Sequence, residues 1–137
     1  MRAVLDPNVL ISALLSRDGT PAQLLRAWID GAFELLLSPL LLAELERALA
    51  YPKLRKRISA EEAEAFIEWL ERSATVVDDP ATTPPVRSTD PGDDYLLALA
   101  AHEQAALVSG DHHLLSLATT LPVHSPAAFL QTITRQT

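Results

Sequence analysis

The sequence contains no cysteine, and this absence excludes both disulfide bonds and metal sites built from thiolates. A chain without cysteine also fits a reducing compartment. Long apolar runs are missing as well, since no stretch reaches the roughly 18 residues that a membrane-spanning helix needs. Met1-Arg2 leads directly into an apolar strand and not into a signal peptide. We therefore expect a soluble cytoplasmic protein that does not contact a membrane.

Positive charge is also scarce. The sequence has 11 lysines and arginines and 18 aspartates and glutamates, so its formal net charge is −7. This balance argues against broad, non-specific binding of nucleic acid through a basic face. It does not exclude a site in which bound cations reverse the sign of the local charge. With 48% hydrophobic residues, the 137 residues are expected to form one globular domain, 1–137, around a substantial core.

Strands and helices are predicted to alternate along the chain. Short apolar runs predict five strands, at residues 3–5, 33–37, 74–77, 105–108 and around Val123. Capping residues, prolines and apolar spacing predict helices that begin after Asp6, at Thr20, Ser38, Ser59 and Asp93, near His113 and at Ser125. This alternation predicts an α/β protein, a three-layer α/β/α fold with a central parallel sheet.

The segment from Asp78 to Gly92 breaks the alternation. It is rich in proline, threonine and aspartate, and its apolar residues show no periodicity. Too little chain follows for a second domain, so we interpret 78–92 as a long surface loop within the single domain.

Two acidic residues directly follow predicted strands. Asp6 comes after residues 3–5 and precedes Pro7, an arrangement typical of a helix N-cap. Asp111 follows the strand at 105–108 after the turn Ser109-Gly110. Because the carboxyl ends of parallel strands meet at one edge of a sheet, both carboxylates are expected at the same edge. Taken singly, each also fits an ordinary capping or turn role.

Other acids are placed where a helix can carry them to that edge. Helical spacing puts Glu44 at the border of the apolar stripe formed by Leu41 and Leu45, which suits either a cleft carboxylate or a salt bridge to an arginine. Asp93 and Asp94 open a predicted helix, where acids also complement the helix dipole.

Convergence of these acids favours a metal site. Four carboxylates in one cleft would repel one another unless cations were present. A ligand set made only of oxygen, without cysteine, selects Mg²⁺ or Mn²⁺. Such ions bridge phosphates and activate water, so the residues indicate phosphoryl transfer or phosphodiester hydrolysis and leave the substrate open.

Four segments resemble, in order, the acidic motifs of PIN-domain ribonucleases: Asp6-Pro7-Asn8, Leu41-Leu42-Ala43-Glu44-Leu45, the run from Asp90 to Ala100 that contains Asp93, and Ser109-Gly110-Asp111. The similarity extends over nearly the whole chain, from Ala3 to the helix at Ser125-Pro126. It is greatest to the subgroup that contains toxin components of prokaryotic toxin–antitoxin pairs.

The resemblance implies cleavage of single-stranded RNA that depends on Mg²⁺ or Mn²⁺. It assigns the metal ions to Asp6, Glu44, Asp93 and Asp111, with a metal-bound water attacking phosphorus. The same similarity gives supporting polar roles to Asn8 and Ser109, and we add Asp94 as a further supporting residue.

The resemblance also implies a homodimer and a small antitoxin protein as partners. One departure from the family pattern is Pro7, which stands where Thr or Ser is common and removes a hydroxyl and an amide hydrogen.

Rival interpretations rest on single features of the chain. A haloacid-dehalogenase-type phosphatase or a receiver domain also begins with a strand and an acid. Both need a lysine late in the chain, and the two lysines here, Lys53 and Lys56, are poorly placed because they precede the third long helix. A non-catalytic RNA- or protein-binding module on the same fold remains an alternative.

His112 and His113 suggest a transition-metal ligand or a proton shuttle, but neighbouring residues do not share a helix face, so we expect exposed surface.

Overall fold

The computed structural model describes residues 1–81, 94–118 and 121–135. Its strands are β1 (Arg2–Leu5), β2 (Glu34–Leu37), β3 (Thr75–Val76), β4 (Ala106–Val108) and β5 (Val123–His124). Its helices are α1 (Pro7–Leu15), α2 (Thr20–Ile29), α3 (Pro39–Leu49), α4 (Pro52–Arg55), α5 (Ala60–Ser73), α6 (Asp94–Glu103), α7 (His112–Leu115) and α8 (Pro126–Arg135). None of these helices is long and apolar enough to cross a lipid bilayer. Asp93 and most of the predicted loop at 78–92 lie outside the described residues.

The five strands form one parallel sheet in the order β3-β2-β1-β4-β5. From β1 the chain adds β2 and β3 on one side, and then returns to place β4 and β5 on the other. The strand order therefore reverses between β1 and β4, which is where open α/β sheets leave a crevice at their carboxyl ends. The prediction of a three-layer α/β fold with a central parallel sheet is confirmed.

The core is built around the three central strands. Residues 3–5 of β1 and 35–37 of β2 are completely buried, as strands are when helices cover both faces of a sheet. Around the sheet, α1 packs against α2 and α3, α2 packs against α8, α3 packs against α5, and α6 packs on β1 and β4. These contacts hold α3 and α6, the two helices that carry predicted site acids, on a buried framework.

Most helix starts follow the local signals, with one exception. Ser38 and Ser59 cap α3 and α5 as predicted, and Ser59 forms the expected capping box with Glu62. The prediction of Thr20 as a cap is wrong, because Gly19 takes the N-cap position and Thr20 is the first helical residue. Pro52 lies beyond the end of α3, whose C-cap is Ala50, and it begins the short helix α4 at a position where its missing N–H costs nothing.

The two tryptophans pack against each other, Trp28 buried and Trp69 half-buried. Trp28 on α2 is buried, and its ring centroid lies 5.2 Å from that of Trp69 on α5. Offset, tilted aromatic pairs of this kind add stability beyond the apolar area that they bury. The pair therefore stabilises the contact between α2 and α5.

The central sheet makes a direct prediction about stability. Leu36 in β2 is fully buried, so Leu36→Ala should lower the free energy of unfolding by about 2–5 kcal/mol, measured by urea denaturation. Leu40 on α3 is 51% exposed, and Leu40→Ala is the matched control, with an expected change within about 0.5 kcal/mol. Equal losses in the two variants would contradict the assignment of β2 to the core.

Candidate active site

The candidate site lies at the carboxyl ends of β1 and β4. Leu5 at the end of β1 pairs with Val108 at the end of β4, and the next residue, Asp6, donates its backbone N–H to the Val108 carbonyl at 2.9 Å. Asp6 and the turn that starts at Ser109 therefore leave the sheet side by side. The prediction that Asp6 and Asp111 emerge at the same edge is confirmed.

Asp6 is held by two hydrogen bonds and is only 4% exposed. Its Oδ1 accepts from the Asn8 backbone N–H at 2.9 Å, which makes Asp6 the N-cap of α1, with Pro7 as the first helical residue. Its Oδ2 accepts from the Ser109 hydroxyl at 2.8 Å. The capping role and a role in a site are therefore compatible, since the cap uses only one of the two carboxylate oxygens.

The surroundings of Asp6 disfavour its negative charge. Burial raises the pKa of the Asp6 carboxyl above its ordinary value, and the hydrogen bonds from Asn8 and Ser109 offset this pKa shift only in part. The neighbouring carboxylates of Glu44 and Asp111 raise the pKa of Asp6 further. Three predicted site acids are therefore close enough to interact electrostatically, as their placement in the sequence suggested.

Glu44 occupies the border position that its helical spacing predicted. It is half-buried on α3, next to the buried Leu41 and Leu45. No arginine or lysine of the described residues forms the salt bridge that was the alternative interpretation. The Tyr95 hydroxyl, from α6, instead donates a hydrogen bond to Glu44 Oε2. Sequence reasoning missed Tyr95, and the available signal was its position directly after the acids that open α6.

Asp111 is connected to Asp6 through Ser109. The Asp111 backbone N–H donates to Ser109 Oγ at 3.0 Å, while the Ser109 hydroxyl donates to Asp6. Asp111 itself caps α7, because its Oδ1 accepts from the His113 backbone N–H at 2.8 Å. The buried Ser109 hydroxyl therefore holds one oxygen of Asp6 and fixes the backbone at Asp111.

The acids at the start of α6 are only partly described. Asp94 is the first residue of α6 and is buried, and the helix packs on β1 and β4, the two strands that carry Asp6 and Ser109. Asp93 lies outside the described residues, so its assignment as a metal ligand and that of Asp94 as a supporting residue stay predictions.

The imidazole rings of His112 and His113 lie closer together than expected for neighbouring residues on a helix. Their ring centroids are 4.3 Å apart, and potential ligand atoms of Asp111 and both histidines lie within 4.8 Å of one another. The expectation that the two rings could not approach one ion together is therefore wrong, while His112 is exposed, as predicted. Zinc–imidazole bonds of about 2.0–2.1 Å would still require these side chains to move closer together.

An open groove of about 370 Å³ includes Asp111 in its lining, together with Asn8, Val9, Ser12, Pro21, Gly110 and Pro126. Asn8 is exposed and reaches this groove with its side chain, while its backbone N–H serves Asp6. A larger groove of about 590 Å³ lies between α3 and α5, and its lining includes none of the predicted site residues.

Similar structures agree with the observed fold. VapBC2 from Rickettsia felis, in a crystal structure with a DNA fragment from its promoter, superposes with a TM-score of 0.63 at 14% identity, covering 91% of this chain and 98% of the other. PAE2754 from Pyrobaculum aerophilum superposes with a TM-score of 0.66 at 19% identity, covering 98% of this chain and 90% of the other.

Sequence comparison assigns the family. An uncharacterized protein from Methanocaldococcus jannaschii is 31% identical over 117 residues, which are 85% of this chain and 75% of that protein. The family model for the PIN domain matches residues 2–113, a range that contains Asp6, Glu44 and Asp111. The chain therefore belongs to the PIN domain family, whose members are typically nucleases that use divalent metal ions.

Proposed function

We propose that the protein is an endoribonuclease that cleaves single-stranded RNA with the help of Mg²⁺ or Mn²⁺. The observation that carries this proposal is the buried Asp6 carboxylate, whose pKa is raised by burial and by the carboxylates of Glu44 and Asp111. No lysine or arginine among the described residues forms an ion pair with these three acids. A bound cation is the simplest source of the missing positive charge.

The donor atoms fit a hard divalent ion. Asp6, Glu44 and Asp111 offer carboxylate oxygens, which suit Mg²⁺ and Mn²⁺ better than they suit zinc or copper. Asp93 completes the proposed ligand set, and Asp94 supports it from the start of α6. When bound, such an ion supplies Lewis acidity, lowering the pKa of a water and offsetting the charge that develops on the phosphate.

The chain's own residues keep the acids in position. Ser109 and the Asn8 backbone N–H each hold one oxygen of Asp6, so the carboxylate cannot rotate freely. The acids sit at the ends of buried strands and on packed helices, which gives a more precise site than mobile loops would. The groove beside Asp111 is the surface along which we place the RNA, with the exposed Asn8 side chain at its edge.

We further propose that the protein is the toxin of a toxin–antitoxin pair, acting in the cytoplasm as a homodimer. Support comes from the resemblance of the acidic motifs to that subgroup and from the fold shared with VapBC2, which was crystallised on a fragment of its promoter DNA. An antitoxin protein would then be the partner that restrains cleavage. Co-purification with the product of a neighbouring gene would test this part of the proposal.

Cleavage of labelled single-stranded RNA in Mn²⁺, Mg²⁺ or EDTA tests the activity. EDTA should abolish cleavage, and Asp6→Asn should reduce its rate by more than about 100-fold, since supporting residues alone are typically worth 10–100-fold. Asp18→Asn, at an exposed aspartate, is the control and should cleave like the wild type.

Three results of this assay would separate the alternatives. Metal-dependent cleavage that Asp6→Asn loses establishes the nuclease and the role of Asp6. Failure to cleave varied RNAs, with no metal binding, would refute the proposal and favour a non-catalytic binding module. Metal binding without cleavage would indicate a narrow RNA specificity.

The link between Asp6 and Asp111 generates a second prediction. Ser109→Ala removes the hydroxyl that donates to Asp6 and accepts from Asp111, so metal affinity and cleavage rate should each fall by about 10–100-fold. Isothermal titration with Mn²⁺ measures the affinity. Ser73→Ala, at the exposed end of α5, is the matched control. Wild-type affinity in Ser109→Ala would show that the hydroxyl does not order the acids.

The raised pKa of Asp6 predicts how pH changes the stability of the metal-free protein. The pKa of Asp6 is higher in the folded state than in the unfolded chain. As the pH rises from the unfolded-state pKa to the folded-state pKa, ionisation of Asp6 therefore destabilises the fold. In EDTA near neutral pH, Asp6→Asn should therefore be more stable to urea than the wild type. The difference should shrink as the pH falls toward about 4, where the unfolded-state carboxyl is also protonated.

The exposed Asp18→Asn variant again serves as the control and should show no such pH-dependent gain. An Asp6→Asn variant that is less stable than the wild type near neutral pH would contradict the conclusion that the buried charge of Asp6 is unfavourable.

A further inference from the structure

Tyr95 reaches from α6 to α3 and contacts a predicted metal ligand. Its hydroxyl donates a hydrogen bond to Glu44 Oε2, and both side chains are half-buried. The two residues are 51 positions apart in sequence, so the contact exists only in the folded chain. Tyr95 is the second residue of α6, immediately after Asp94. The hydrogen bond therefore connects the acid-bearing start of α6 to the acid on α3.

Glu44 needs such a partner if it is to face the other acids. A glutamate side chain loses considerable rotamer freedom when it is fixed in one conformation. Repulsion between its carboxylate and the nearby carboxylate of Asp6 favours rotation of Glu44 away from the site. A hydrogen bond from a half-buried hydroxyl opposes both effects.

A tyrosine hydroxyl is well suited to this task because it is a neutral donor. Lysine or arginine at the same place would form an ion pair with Glu44 and compete with a metal ion for its negative charge. Tyr95 instead fixes Oε2 and leaves the charge of the carboxylate in place. Oε1 of Glu44 makes no hydrogen bond within the described parts of the chain, so this oxygen is available to an ion.

We propose that Tyr95 is a positioning residue, whose hydroxyl holds the Glu44 carboxylate in the orientation in which it binds the metal ion. This inference rests on the proposed function, because it takes Glu44 to be a metal ligand. It assigns to Tyr95 no contact with RNA or with the reacting phosphate. In this inference, Tyr95 affects metal binding only through Glu44.

Tyr95→Phe removes the hydroxyl and keeps the ring, so it isolates the hydrogen bond from the packing of α6. We expect the affinity for Mn²⁺, measured by isothermal titration without RNA, to fall by about 10–100-fold, as is typical when the partner of a metal ligand is lost. The urea midpoint of the metal-free protein should change little. The chain has one other tyrosine, Tyr51, which is 57% exposed, and Tyr51→Phe should bind Mn²⁺ like the wild type.

A double-mutant cycle with Glu44→Gln shows whether Tyr95 acts through Glu44. If it does, Tyr95→Phe should cause no further loss of Mn²⁺ affinity in the Glu44→Gln background. The same fold-loss in both backgrounds would overturn the inference and leave Tyr95 with a packing role only. Wild-type affinity in Tyr95→Phe would also overturn it.

The design separates this inference from the proposed function. A wild-type protein that binds no Mn²⁺ would refute the metal site, and the role of Tyr95 with it. Wild-type binding that Tyr95→Phe matches would refute the role of Tyr95 alone.

Discussion

The hydrogen bond from the Ser109 hydroxyl to Asp6 Oδ2 joins the ends of two neighbouring strands at the point where the strand order of the sheet reverses. It exists because β1 and β4 are paired in parallel, with Leu5 opposite Val108. A shift of one residue in this register would turn one of the two side chains to the other face of the sheet. The geometry of the candidate site therefore depends on the pairing of the central strands.

The site concentrates negative charge where the protein excludes water. Burial and the carboxylates of Glu44 and Asp111 all disfavour the ionised form of Asp6. A buried carboxylate of this kind costs stability, and such groups are common at functional sites. Two neutral donors, the hydroxyls of Ser109 and Tyr95, hold Asp6 and Glu44 without cancelling their charge. Orientation and charge are thus supplied by different residues.

Local signals in the sequence were sufficient for the strands, for most helix starts and for the border position of Glu44. They failed where a neighbouring residue could take the same role, as at Thr20, where Gly19 is the cap. His112 is exposed, as predicted, but the two histidine rings lie closer together than expected, because the rule that adjacent residues diverge applies to regular helices and α7 is a single turn. The assignments of Asp93 and Asp94 remain predictions.

The sequence by itself determined the alternation of strands and helices, and with it the parallel sheet and the edge at which Asp6 and Asp111 emerge. These features follow from hydrophobic periodicity and capping, which act over a few residues. The resemblance named Ser109 as a supporting residue, but only the tertiary structure decided that its hydroxyl bonds to Asp6 and that Tyr95 bonds to Glu44. The bonds of Ser109 to Asp6 and of Tyr95 to Glu44 span 103 and 51 residues, and no local pattern specifies them. They arise because the packing of the sheet and of α6 brings distant hydroxyls to buried carboxylates, which are unfavourable without hydrogen-bond partners.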